Sequence, residues 1–243
     1  MTTVFALIFE EFEQELEAIE LLVSPHGEER LSARARVAGA NASVLLLAAT
    51  FEEFTRELAR EYAKSVVAAT DTHERLPPKI AAIAWKRTME GLARLQFVRA
   101  TEPLSRDRAY ADAQARFAVA YEFCRGDLTQ DIYSDLIHNE NNMRPQEINA
   151  LFKLSGLSNI CLQASDAATL KEFFDDDSQA IVHGRLLAAV EDFFDRRNQT
   201  AHELRAMSSV GPDLILADIN LLKRFGQALA GAAENEAPDP IER

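Results

Sequence analysis

The chain has 243 residues, 47% of them apolar, with only nine glycines and eight prolines, a composition that supplies one large core or two small ones and excludes disorder throughout. Its formal charge of −13 argues against a broad basic surface that holds long nucleic acid through phosphate contacts alone, so any nucleic-acid function must be local. With no run of eighteen apolar residues, and with glutamates near the amino terminus where a secretory signal carries lysines, a soluble, cytoplasmic protein without membrane contact is expected.

Taken in order, residues from about Thr3 to Val23 form an amphipathic helix. Phe5, Ile8, Phe9, Phe12, Leu16, Ile19 and Val23 share one face, and Glu10, Glu13, Glu17 and Glu20 the other. Ser24-Pro25-His26-Gly27 ends it as a turn, with His26 a loop residue. From Glu28 the pattern stays helical through Ala38, Leu45, Ala49, Phe51, Phe54, Leu58, Tyr62 and Val66, broken only by Gly39. This is the longest expected element, and its nearly uncharged middle, Asn41 to Phe54, suggests a central helix covered on most sides. Glu52 and Glu53 close that run.

Pro77 and Pro78 make the stretch from Thr70 a clear break, because neither fits a helix interior. Helix resumes from Lys79 to about Phe97, breaks at Thr101-Glu102-Pro103, and returns from about Arg106 to Cys124, which describes two antiparallel neighbours. Lys79 to Arg116 holds eight basic residues against four acidic ones, a surplus of four, while the remainder carries 18 basic and 35 acidic residues. That segment is the candidate basic patch, although a solvated helix face is the more common explanation of such a run.

Residues from Asp127 to Leu157 are more irregular. His138-Asn139-Glu140-Asn141-Asn142 is a polar turn, after which Pro145 opens a short helix that Gly156 closes. Asp166 is placed as the N-cap of a helix from Ala167 to Phe174, and Asp175-Asp176-Asp177-Ser178 as the cap region of the next. These aspartates lack the interleaved ligands of a calcium loop. Leu214 to Leu229 is the last helix, and residues 233–243, with Pro238 and Pro240, form a flexible tail beyond a single domain over residues 1–232. Cys124 and Cys161 stand far apart without metal-ligand spacing, which argues for ordinary buried thiols. No cofactor or metal motif is found, and the expected fold class is all-α.

Chemistry concentrates at Arg197-Asn198-Gln199-Thr200-Ala201-His202. The apolar stripe of that helix runs Leu187, Val190, Phe194, Ala201 and Leu204, and Arg197 falls on it. Asp195, Asn198 and His202 share the neighbouring polar face. An arginine on a core stripe cannot shed its charge, so it requires an anion, carbonyls or a water-lined cleft. Spacing alone also describes an arginine at the rim of the core, snorkelling outward or paired with Asp195 or Glu191.

Arg197 through His202, with Asn after Arg and Ala before His, resembles the Arg-x4-6-His signature of HEPN-superfamily ribonucleases, in particular the RiboL-PSP-HEPN group. None of the other four histidines has an arginine at that spacing. Leu46 to Phe54, closing in Phe51-Glu52-Glu53-Phe54, resembles the corresponding helix of this group, and Asn142-Met143-Arg144-Pro145 through Leu157 resembles the insert before its active-site helix. The resemblance implies a multi-helix HEPN-like bundle with a long central helix and a helical insert before the motif-bearing helix. It implies a homodimeric endoribonuclease of toxin or defence type, with Arg197 and His202 catalytic and with RNA as substrate. A nucleotidyltransferase antitoxin is a possible partner. Asn198 takes a supporting role, orienting the imidazole or binding a phosphate oxygen. Glu52 would face the arginine–histidine site, although the residues alone describe an exposed acidic pair as readily. A non-catalytic helical module that binds protein or nucleotide is the alternative.

Overall fold

The computed structural model describes residues 2–23, 32–95, 103–138, 141–202 and 210–241, with side chains of the fourth helix from Asp107 onward. The expectations for the Ser24 to Gly27 turn with His26, and for Phe97, Asn139, Glu140, Leu204, Ser208 and Ser209, lie outside the described residues. The described residues form ten α-helices and one 3-10 turn, with no strand.

Helix α1 spans Val4–Val23 and is capped by Thr3, whose Oγ1 accepts from the Ala6 N–H at 3.2 Å. Helix α2, Ala33–Ala68, is the long element, 36 residues, and Ser32 Oγ caps it by accepting from the Ala35 N–H at 3.2 Å. Pro78 stands at the first position of α3 (Pro78–Ala93), where its missing N–H costs nothing. Helix α4 (Pro103–Cys124) starts at the proline expected as a break, for the same reason. Then come α5 (Tyr133–Leu136), α6 (Pro145–Leu154), α7 (Ile160–Ala164), α8 (Ala168–Phe174), α9 (Gln179–His202) and α10 (Pro212–Glu236).

Two expectations are corrected here. Asp166 does not cap α8: the cap position is Ala167, and the Asp166 carboxylate instead accepts from Lys171 Nζ at 2.7 Å. Helix α10 does not stop near Leu229 but continues to Glu236, because Ala228, Leu229, Ala230, Ala232 and Ala233 bury a small-residue face; residues 233–236 therefore belong to the helix and not to a tail. Beyond it, the Ile241 N–H donates to the Ala68 carbonyl at 3.2 Å.

The chain, expected as one domain over residues 1–232, clusters into two compact units. The first comprises Met1–Leu58, Asn141–Ala150 and Leu157–Glu236, and the second Ala59–Glu140, Leu151–Gly156 and Ala237–Arg243. In the first unit α1 packs along α10, and α7 and α8 pack against α9 and α10. Its core is aromatic. Phe12 stacks on Phe54 at 4.1 Å between centroids, and Phe51 meets Phe225 at 5.8 Å and Phe194 at 6.4 Å. Each fully buried ring contributes on the order of 2 kcal/mol. Gly226 makes this packing possible, since a Cβ there would stand 2.7 Å from Phe12 Cε1. Among the described residues α2 alone is long and apolar enough to cross a membrane, and Leu47, Ala48 and Phe51 of that helix are buried core.

In the second unit α3 packs on α4 and on α5. Polar bonds tie the three together. The Asp135 carboxylate accepts from the Thr88 hydroxyl at 2.8 Å and from Arg116, whose Nε lies 3.0 Å away, while Arg87 donates to the Leu136 carbonyl. Burial alone would raise the Asp135 carboxyl, but the Arg116 and Thr88 hydrogen bonds and the Arg116 and His138 charges outweigh it and hold it below the usual carboxylate range. Tyr62 and Phe152 pack at 5.8 Å inside this unit.

Candidate functional site

Helix α9 buries Val182, Leu186, Val190, Phe193, Phe194 and Thr200. The seam is turned by one residue from the expected stripe: Leu186 rather than Leu187 enters the core, and Thr200 rather than Ala201. Arg197 lies on the observed seam as on the expected stripe, four residues after Phe193 and three before Thr200, where it is half-buried. The anticipated conflict is therefore real, and how each nearby cation is matched becomes the informative question.

Arg196 and Arg197 are adjacent and are treated differently. Arg196 reaches α10, where Nη2 donates to the buried carboxylate of Asp218. Burial pushes the Asp218 carboxyl up, against the charge and hydrogen bond of Arg196. Arg144, just before α6, donates to Glu191 through Nη1 and to Asp195 through Nη2 at 2.6 Å. Both carboxylates that sequence offered to Arg197 are thus taken by Arg144. Among the described residues Arg197 makes one neutral hydrogen bond, from Nη1 to Asn198 Oδ1 at 3.2 Å. Its Nε is buried without a partner, as is the Nε of Arg196. Among the described residues Arg196 has an ion pair to offset that cost, and Arg197 has the charge of Glu52 nearby.

Glu52 comes to this cluster from α2. It is half-buried, whereas Glu53 is exposed and pairs with Arg56 at 2.9 Å. Burial raises the Glu52 carboxyl, opposed by the charges of Arg197 and Arg56 and by the Met143 backbone amide hydrogen-bonded to it. Its Oε1 is buried without a partner. An unmatched carboxylate oxygen and an unmatched guanidinium nitrogen therefore belong to the same small cluster.

The segment Asn142-Met143-Arg144-Pro145 straps α9 through Asn142 and Arg144. Asn142 Nδ2 donates to Asn198 Oδ1 at 2.8 Å, Met143 is fully buried, and Arg144 takes the two acidic side chains. Because Asn198 Oδ1 already accepts from Asn142 and Arg197, its NH2 is the group it presents to any further partner. The strap is anchored from behind: the Cys161 N–H donates to Asn149 Oδ1 at 3.1 Å and its thiol to the Pro145 carbonyl at 3.7 Å. Burial pushes the Cys161 thiol up to about 12, which makes it an inert packing group.

His202 is the last residue of α9 and is exposed. Among the described residues its side chain has no hydrogen bond or ion pair. A continuous helix separates it from Arg197 by about 140° of rotation and roughly 7.5 Å of rise. Of the four expected site residues, Glu52, Arg197 and Asn198 are brought together and His202 is not joined to them within one chain. His183 lies five turns earlier, its imidazole lowered by burial. His138 lies beside Asp135 in the second unit. Among the described residues no group of three His, Cys, Asp or Glu side chains is arranged to hold a metal ion.

The matching of Arg144 to α9 and of Arg196 to Asp218 was missed from sequence, although Glu191 and Asp195, like charges four apart on one helix, signal a nearby cation. Comparison with curated proteins and with solved structures gives no match. The family model described as RiboL-PSP-HEPN matches residues 10–235, a span that takes in Glu52, the strap and the whole of α9. The all-helical chain, with its long α2 and its helical insert ahead of α9, belongs to the RiboL-PSP-HEPN family and is a HEPN-type module.

Proposed function

We propose that this chain is a metal-independent endoribonuclease of toxin or defence type, acting in the cytoplasm at a site shared by two protomers. The observation that carries this is the state of Arg197: it lies on the core seam of α9 with its Nε buried and unmatched, while Arg196 and Arg144 are both bound to carboxylates. A permanently charged planar fork of that kind suits the charge that develops on a phosphate during strand scission. In the step itself, His202 takes the proton of a ribose 2′-hydroxyl as the oxygen attacks the adjacent phosphorus. The P–O5′ bond breaks, and the departing oxygen receives a proton, giving a 2′,3′-cyclic phosphate and a 5′-hydroxyl. Because one helix aims Arg197 and His202 apart, His202 of one protomer works with Arg197 of the partner subunit across a two-fold axis. Asn198 supports through its NH2, and Glu52 sets the electrostatic surroundings of Arg197. A nucleotidyltransferase antitoxin fits as the neutralising partner of such an effector.

The test is incubation of the purified chain with RNA in EDTA beside Arg197→Ala and His202→Ala, with end-group analysis of the products. Cleavage by the wild type alone, leaving cyclic phosphate ends, is expected; no cleavage at high protein concentration refutes the proposal. One observation favours a second reading. Asn142 and Arg197 both donate to Asn198 Oδ1, an arrangement that also suits a non-catalytic helical module that keeps the motif as a structural cluster. Growth arrest on expression that survives in His202→Ala would favour that module.

A further inference from the structure

The second unit carries a face that the Arg197 cluster does not use. Trp85 of α3 and Phe117 and Tyr121 of α4 are large rings left 36%, 40% and 41% exposed. They are contiguous: Trp85 meets Phe117 edge to face at 6.0 Å, and Phe117 stacks with Tyr121 at 5.7 Å and 18°. The guanidinium of Arg125 lies over the Tyr121 ring at 5.7 Å. Hydrophobic periodicity explains one exposed ring on a helix, but three in a row with a cation on the end ring form a built surface.

The charge around this face differs from that of the rest of the chain. Lys79 to Arg116 has a basic surplus of four in a protein of net charge −13. Lys79, Arg108 and Arg125 are exposed, as is Lys86, which pairs with Glu90 at 3.8 Å, whereas Arg87 and Arg116 are occupied by Leu136 and Asp135. Rings that offer π-faces beside cations recognise unpaired nucleic acid: bases stack on the rings and phosphates meet the cations, with tolerance for base identity. Duplex RNA buries its base faces and has nothing to stack.

From these observations we infer that Trp85, Phe117 and Tyr121, with Arg125, form a stacking platform for two or three unpaired bases of single-stranded RNA. The choice of RNA rests on the ribonuclease reading of Arg197 and His202. The platform resolves a difficulty of that reading, because a strongly acidic protein needs a local element with which to hold its substrate. Each ring contributes separately, so loss of one weakens binding by roughly tenfold to a hundredfold.

Trp85 is the only tryptophan, so its emission reports the platform directly. The full chain is titrated with a 2′-O-methylated oligouridylate, which cannot be cleaved, and in parallel with a duplex of 2′-O-methylated RNA; Kd is read independently by anisotropy. Quenching of Trp85 by the single strand is expected, with affinity at least tenfold lower for the duplex and at least tenfold lower in Phe117→Ala and in Tyr121→Leu, which retains an apolar side chain. Unchanged Trp85 emission at saturation, unchanged Kd in both variants, or no binding of the single strand overturns the platform. So does Trp85 emission that varies with protein concentration without RNA and ceases to do so in Phe117→Ala, which would make the face a self-association surface. Cleavage of unmodified RNA is scored separately: quenching without cleavage sinks the ribonuclease and leaves the platform, and cleavage without quenching does the reverse.

Discussion

Substituting Gly226 and Gly231 by alanine, one at a time, changes the same atoms on the same helix with opposite expected signs. At Gly226 the new Cβ would lie 2.7 Å and 3.1 Å from Phe12 Cε1 and Cδ1 and 3.2 Å from Phe54 Cε1. Carbon atoms are comfortable at about 3.5–4.0 Å, so the Phe12 ring must retreat by roughly 1 Å. It has little room to do so, being buried and stacked on Phe54 at 4.1 Å. Overpacking of this kind costs about 1–3 kcal/mol, and the better helix propensity of alanine returns about 1 kcal/mol. The net loss of about 0–2 kcal/mol corresponds to a fall in Tm of up to roughly 8 °C for a chain of this length. At Gly231 a Cβ meets nothing within 4 Å, so only the propensity gain remains and Tm should rise by roughly 1–4 °C. Thermal melting by far-ultraviolet circular dichroism reads both. If the two variants shift in the same direction, or Gly226→Ala melts above the wild type, the close approach of α10 to Phe12 is not what sets this packing.

Arg144→Gln releases Glu191 and Asp195 to repel each other on α9. With the three side chains 26%, 41% and 69% exposed, solvent screening limits the loss to about 1 kcal/mol, so Tm should drop by roughly 2–4 °C at low salt, with most of the difference gone in concentrated salt. Cys161 should resist a thiol reagent in the folded protein, since burial pushes its thiol up to about 12, while the half-buried Cys124 reacts faster; equal rates measured by absorbance would contradict the buried anchor of the strap. Asp135 has a folded carboxyl below its unfolded value, so its contribution is complete above about pH 4 and is lost as pH falls through the folded value. Urea midpoints compared between neutral and acid pH should show a smaller acid loss in Asp135→Asn than in the wild type.

Much of this architecture is visible in the periodicity of the chain, and where it is not, the reasons are local. Helices α5 and α7, of four and five residues, are shorter than two turns and present no period to detect. The seam of α9 was misread by one residue because Leu186 and Leu187 are identical, and only packing against the rest of the first unit decides which enters the core. Asp166 looks like a cap by residue type, but a lysine five residues on competes for its carboxylate. Glu52 and Glu53 are indistinguishable by composition. The resemblance to the family selected Glu52, and the fold places it beside Arg197 while Glu53 turns to Arg56. The partners of Arg144 lie 47 and 51 residues away in the chain, a separation that no local pattern encodes.

Spacing on α9 carries one more consequence. Had a single chain been built to aim both groups at one phosphate, the arginine would stand three or four residues from His202, where helix geometry superimposes side chains. Asn198 holds the position four before His202, and Arg197 stands one further back, rotated toward the core seam. The neutral amide thus shares the face of the imidazole, and the cation is held apart, half-buried among Asn198, Glu52 and the seam. The guanidinium of Arg197 and the exposed imidazole of His202 are thus aimed apart on one helix. In the proposed ribonuclease a second α9, related by a two-fold axis, would bring the complementary group from the opposite side.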